Sequence, residues 1–385
     1  MGVTERKGER FIMQTETVRT LGGSMREVNS LLQEAVNELL HYHEQSGKQK
    51  IKNVLKKAAG RYIPPEDLIF WPTGMLANTL AVNYEKWECK ETVLAALRSY
   101  FDRWIRKGMP VYYMDDVLSG EALLDLYSIT GDEKYKNGAE RMIKYLFHLQ
   151  EQAADETGGL PYRPAQKNNH IYADGIGMMC PFLCKYGTRF NDDRAVDLAL
   201  KQIENMQKYG MSDKMQLPYH GYEYKSEIKY GIIGWGRAVG WLLLGMSGVL
   251  TFLPKEHSYY QTLMEEYRNL IKNVSAYQWE DGDFTWQLEA WEGPRDSSAT
   301  SMIALAVLKG IEAGVLGEEE PISRALVKRA AVYLKNVEKN GKIYECSGEC
   351  LGFGQYPQFY SAFPWSLAPG LAVLVRIQEV YGDRI

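Results

Sequence analysis

The chain has 385 residues, with 45 Lys and Arg against 49 Asp and Glu and a formal net charge of -4, so it carries no basic excess with which to hold a nucleic acid. Apolar side chains make up 45% of it, enough to bury a large core without disulfides or metals, and no uninterrupted apolar run is long enough to span a membrane.

The N-terminus, MGVTERKGERF, places charges where a secretory signal needs an apolar stretch, so a cytoplasmic address is expected. The first 60 residues read as a helical lead-in to a single domain covering residues 1–385. From there on, apolar residues recur at helical spacing, as in Ala122, Leu123, Leu126 and Tyr127, and period-two alternation is never sustained. Short polar links such as TGDEKY after Ile129 and RFNDDR after Thr188 stand where one helix turns into the next.

Longer links recur at about sixty-residue intervals: GLPYR (Gly159 to Arg163), QLPYH (Gln216 to His220), GDFTW (Gly282 to Trp286) and GKIYE (Gly341 to Glu345). The spacing predicts about six helical hairpins, each with an extended loop. GWGRAVGW (Gly234 to Trp241) and SSATSMIALAVLKG (Ser297 to Gly310) mix small with aromatic or apolar residues, as tightly crossed inner helices require. The expected fold is therefore all-α, with the hairpins stacked as an open solenoid or, the favoured arrangement, closed into a double ring. The five cysteines, Cys89, Cys180, Cys184, Cys346 and Cys350, form neither a zinc pattern nor an even disulfide set, and no metal is expected.

Aromatic residues reach 12% of the chain, including 26 Tyr and 9 Trp. A flat apolar face with a polar tip suits a sugar ring as well as a protein core. In HIYADGIGMMCPFL (His170 to Leu183), Asp174 opens an apolar helical run, a position open to a helix cap or to chemistry. Four more segments set polar or aromatic groups at the ends of predicted inner helices: YYMDDVLSG (Tyr112 to Gly120), LPYHGYE (Leu217 to Glu223), GWGRAVGW and GPRDSSATSM (Gly293 to Met302). Asp296 in the last of these reads as a cap.

Taken together and in this order, the five segments resemble the unsaturated uronyl hydrolases of glycoside hydrolase families 88 and 105, from about Trp71 to Gly370. The resemblance implies an (α/α)6 barrel with no cofactor, working on a small oligosaccharide as a monomer or homodimer. It also implies that Asp174 is the general acid/base, with Asp115 as its partner and Asp116 the alternative. His220, Arg237 and Trp241 then become substrate-binding residues. Tyr172 stands where the family has Trp and Arg163 where it often has His, and the resemblance implies that both are substrate-binding positions that bear on sugar preference.

The implied reaction removes a terminal 4,5-unsaturated uronate left by a polysaccharide lyase, with pectin or rhamnogalacturonan disaccharides as the expected substrates. Arg237 suits it because a guanidinium grips a carboxylate by two parallel hydrogen bonds. The same ring of helices hosts other chemistry. A sugar epimerase using His170 and His220, an ordinary inverting glycosidase, and a non-catalytic helical binding module are the competing readings.

Overall fold

The computed structural model describes residues 24–43, 55, 56, 58, 59, 67–164, 169–316 and 321–381. Much of the expected lead-in at residues 1–60 lies outside them, as do residues 165–168 of the PYRPAQKNNH stretch. Twelve α-helices are described: α1 (Ser24–His41), α2 (Trp71–Val82), α3 (Lys90–Arg106), α4 (Gly120–Thr130), α5 (Glu133–Ala153) and α6 (Ala173–Phe190). They continue with α7 (Asp193–Asn205), α8 (Gly236–Phe252), α9 (Tyr260–Ser275), α10 (Ser297–Glu312), α11 (Pro321–Asn336) and α12 (Pro364–Tyr381).

The even-numbered helices form the inner ring. α2 packs on α4, α4 on α6, α6 on α8, α8 on α10, α10 on α12, and α12 back on α2, so the ring closes. The fold is the (α/α)6 barrel. Sequence character sorts the helices: α8 is buried from Gly236 to Leu250 and α10 from Ser297 to Leu308 apart from the last turn, because both are apolar or small on every side. Outer helices are amphipathic, as in α7, which buries Ala195, Val196, Leu198, Ala199 and Ile203 among its charged residues.

Local signals set the ends. Gly131, at φ +68°, stops α4, and Asp132 then caps α5 by accepting the Lys134 amide at 3.1 Å. Small residues allow the inner helices to approach. A Cβ on Gly177 of α6 would lie 2.5 Å from the Trp241 carbonyl oxygen of α8, closer than real Cβ atoms come.

The four links found in the sequence each lead from an outer helix to the next inner one, so they gather at a single end of the barrel, over the N-termini of the inner helices. Short strands brace them: β1 (Ile171–Tyr172), β2 (Gly221–Glu223) and β3 (Ile228–Tyr230) form one antiparallel sheet. β4 (Glu338–Lys339) pairs with β5 (Lys342–Ile343), and β6 (Cys346–Ser347) with β7 (Tyr360–Ser361). Among the described residues no helix is long and apolar enough to cross a membrane.

Filling the α6–α8 contact tests the packing. Gly177→Ala gains about 1 kcal/mol of helix propensity but forces backbone apart at a site with no room, where overpacking costs about 1–3 kcal/mol or more. A net loss of stability, read as a lower Tm in thermal denaturation, is the expected outcome.

Candidate active site

At that end, Asp174 sits in the first turn of α6, yet it does not cap the helix: the N-cap position is Tyr172, which makes no side-chain cap bond. The Asp174 carboxylate instead meets His220, with Nε2 3.0 Å from Oδ2. Strand pairing brings the two together. β1 and β2 align Ile171 with Tyr222 and Tyr172 with Gly221, and the next step of the ladder puts Ala173 N on His220 O at 2.9 Å. Gly221 is needed there, since a Cβ would fall 2.3 Å from the Ile171 carbonyl oxygen. His220 is 2% exposed and Asp174 15%, so the carboxylate keeps an open side while the imidazole is enclosed.

Asp115 lies in a 3-10 turn, Met114–Ser119, that runs into α4. Its Oδ2 receives Arg163 Nη2 at 3.3 Å and Tyr162 Oη at 3.4 Å, while Oδ1 is buried with no hydrogen-bond partner. A buried carboxylate oxygen without a donor is costly. Burial raises the Asp115 pKa, with Arg163 and Tyr162 opposing and the Asp174 charge adding to the rise. Arg163 also lies over the Tyr113 and Tyr162 rings, 5.3 Å and 5.0 Å from their centroids, and is partly exposed at the rim.

Asp116 has a different job. Its Oδ2 accepts the Tyr112 and Tyr113 amides at 2.7 Å and 3.1 Å, closing a capping box on the 3-10 turn. Burial pushes its pKa up to about 7, those two amides pull it down, and Asp67 and Asp115 push it up. Asp67, whose pKa is likewise raised first by burial and further by Asp115, is a third carboxyl in this cluster that the sequence analysis did not single out.

Three expected substrate contacts are placed further back. Arg237, at the start of α8, is buried with its Nη1 on Ser347 O and Oγ at 2.9 Å and 2.8 Å, and its Nη2 on Gly348 O at 2.7 Å. Its guanidinium is thus engaged with the β6 hairpin rather than presented as an open fork. Trp241 is buried one turn deeper, its ring 6.1 Å from that of Trp71 and edge-on to it. Tyr172 stacks one face on Phe353 at 4.1 Å and 11°, so that face is covered. Asp296 does cap α10, as expected, through Ser298 N at 2.9 Å.

The hairpin between β6 and β7 supplies what the sequence analysis missed. Phe353 stacks between Tyr172 and Tyr230, and Tyr356 reaches His220 Nδ1 with its hydroxyl at 2.8 Å. The available signal was LGFGQYPQFY (Leu351 to Tyr360), a Gly- and aromatic-rich stretch just after the last of the four links.

The sequence pattern of Glycosyl Hydrolase Family 88 matches residues 32–375. The chain belongs to that family. It is a glycoside hydrolase. Among curated proteins it is similar to the unsaturated rhamnogalacturonyl hydrolase YesR of Bacillus subtilis (strain 168), 22% identical over 304 residues, covering 78% of this chain and 85% of the relative. Among solved structures, a possible member of the GH105 family from Klebsiella pneumoniae shares the fold with a TM-score of 0.78 at 18% identity, over 99% of both chains. The unsaturated glucuronyl hydrolase of Bacillus sp. GL1 does so with a TM-score of 0.65 at 16% identity, over 92% of this chain and 98% of that one.

In this family 88 chain Asp116 predicts a pH dependence. An unfolded Asp titrates near 3.9, so at pH between about 4 and about 7 the folded chain holds a proton that the unfolded one has released. The resulting stabilisation is complete below the unfolded pKa and disappears as pH rises through the folded one. Asp116→Asn keeps an oxygen for the two amides and removes the titration. Thermal denaturation from acid to mildly alkaline pH should therefore show the wild type losing stability relative to Asp116→Asn as pH rises from about 4 to about 7, with no further loss above it.

Proposed function

We propose that this glycoside hydrolase releases the terminal 4,5-unsaturated uronate from lyase-generated oligosaccharides by hydrating the C4=C5 vinyl ether, with Asp174 as the general acid/base. The observation that carries the proposal is the Asp174 carboxylate itself: it opens a helix without capping it, is oriented by a buried His220, and keeps one side toward the cleft. A side chain spared from capping at a helix N-terminus is free for chemistry.

Asp174 delivers a proton to C4, which places positive charge at C5 and the ring oxygen. Water adds at C5 and gives its proton back to the same carboxylate. The hemiketal formed then opens, and the bond to the neighbouring sugar breaks as that sugar leaves with a proton. Asp115, with an oxygen awaiting a donor, binds a substrate hydroxyl beside this centre. Its negative charge also stabilises the developing cation.

Arg163 is the guanidinium placed to receive the uronate carboxylate, supported by its partly exposed position beside Asp115. Arg237 and Trp241 serve the substrate indirectly, one by holding the β6 hairpin and the other by forming the wall beneath. Tyr172 contributes its edge and hydroxyl. The rhamnogalacturonan preference draws support from the similarity to YesR, an unsaturated rhamnogalacturonyl hydrolase. A cytoplasmic setting is in keeping with five free cysteines, of which Cys180, Cys184 and Cys346 are buried.

The test is a panel of unsaturated disaccharides from pectin-, heparin- and chondroitin-type polymers, followed by loss of the double bond's ultraviolet absorbance. Turnover of the pectin-derived member by the wild type is expected. Asp174→Asn, folded by circular dichroism, should lose about 10²–10⁴-fold in kcat, the span of general acid/base catalysis. Absence of absorbance loss with every member would overturn the reading.

A further inference from the structure

His220 is enclosed, so each ring nitrogen requires a partner. Nε2 faces Asp174 Oδ2 at 3.0 Å, and Nδ1 faces the Tyr356 hydroxyl at 2.8 Å. That hydroxyl also accepts the Ile232 amide at 3.3 Å. An amide can only donate, and Asp174 while ionised can only accept, so with Asp174 ionised the two ends of this chain of groups have fixed polarity. With a neutral imidazole between them, one assignment satisfies every atom. Ile232 N–H donates to Tyr356, Tyr356 Oη–H donates to Nδ1, and Nε2–H donates to Asp174.

The hydroxyl is held in place from three sides. The Tyr356 ring meets Trp235 at 5.3 Å and 70° and Trp286 at 5.6 Å and 79°, edge-on in both cases. Gly231, at φ +79°, leaves the opening through which the hydroxyl passes, since a Cβ there would lie 2.5 Å from Tyr356 Oη. At its base the hairpin that carries Tyr356 is fixed by Arg237, Asp296 and Trp365, all bonded to Ser347.

We propose that Tyr356 is a positioning residue: by donating to Nδ1 it locks His220 as the Nε2–H tautomer, which holds Asp174 through Oδ2 and leaves Oδ1 to the substrate. Its catalytic half rests on Asp174 being the acid/base of the function proposed above. A wrong tautomer would turn a lone pair toward the carboxylate and misalign it, a loss of orientation rather than of binding.

The test uses the full chain, uniformly labelled with nitrogen-15, and reads the ring nitrogens by long-range proton–nitrogen NMR. With six histidines in the chain, His220→Gln assigns the signals. The expected wild-type pattern is an unprotonated Nδ1 and a protonated Nε2. Tyr356→Phe keeps the ring and its two Trp contacts, and should move both nitrogen signals away from that pattern. Its kcat should fall by about tenfold to a hundredfold, with KM changed by less than about threefold.

A protonated Nδ1 in the wild type, or nitrogen signals unchanged in Tyr356→Phe whatever its turnover, would overturn the proposal. A changed tautomer with kcat intact would remove Tyr356 from the reaction. The wild-type spectrum decides the tautomer by itself, even if the variant does not fold. If no unsaturated disaccharide is turned over, the function proposed above fails while the spectrum still decides this one.

Discussion

Ser347 is where the loop-bearing end of the barrel is tied together. Asp296, the buried cap of α10, takes its hydroxyl at 2.7 Å and its amide at 3.2 Å, while Arg237 of α8 holds its carbonyl and hydroxyl and Trp365 of α12 donates to the same carbonyl at 3.0 Å. Three consecutive inner helices are thereby linked through one residue of β6. A buried carboxylate and a buried guanidinium each carry a desolvation cost, offset here by charge-assisted hydrogen bonds to a shared partner. Each keeps further partners of its own, Gly348 O for Arg237 and Ser298 for Asp296, so Ser347 is held from two independent sides.

From that anchor the rest of the site follows. The β6–β7 hairpin brings Phe353 against Tyr172 and Tyr356 against His220. On the opposite wall, the 3-10 turn carrying Asp115 and Asp116 divides labour between adjacent carboxylates. Asp116 is consumed by backbone amides, whereas Asp115 keeps an oxygen without a partner. Asp174 and Asp296 make the same contrast at two helix starts, since only the second caps its helix. Such contrasts separate carboxylates taken up by backbone amides from carboxylates that are not, where residue type and position cannot.

The charges here are close enough to influence one another. Asp67, Asp115 and Asp116 all have raised pKa values, because burial in a cleft walled by tyrosines disfavours the charged form and each carboxyl opposes ionisation of its neighbour. Arg163 is the partly exposed cation set against them. A fold built from apolar inner helices thus concentrates its polar groups at one end, where the links rather than the helices supply most of them.

The sequence by itself determined the helical character of the chain and about six hairpins joined by long links. These are consequences of local spacing: period-3.6 apolar patterns and turn residues act over a few turns and can be read along the chain. Spacing allowed an open stack as well as a closed ring, and it was the resemblance of five segments that gathered Asp174, Asp115, His220, Arg237, Trp241, Tyr172 and Arg163 as a group. What only tertiary structure decided is what each of those groups touches. Arg237 bonds Ser347 and Gly348, 110 and 111 residues away, and Tyr356 reaches His220 across 136. No periodicity encodes pairings at such separations. They exist because ring closure brings the last hairpin over the links that precede α6 and α8, and that meeting settles which polar groups are satisfied by protein and which remain for a substrate.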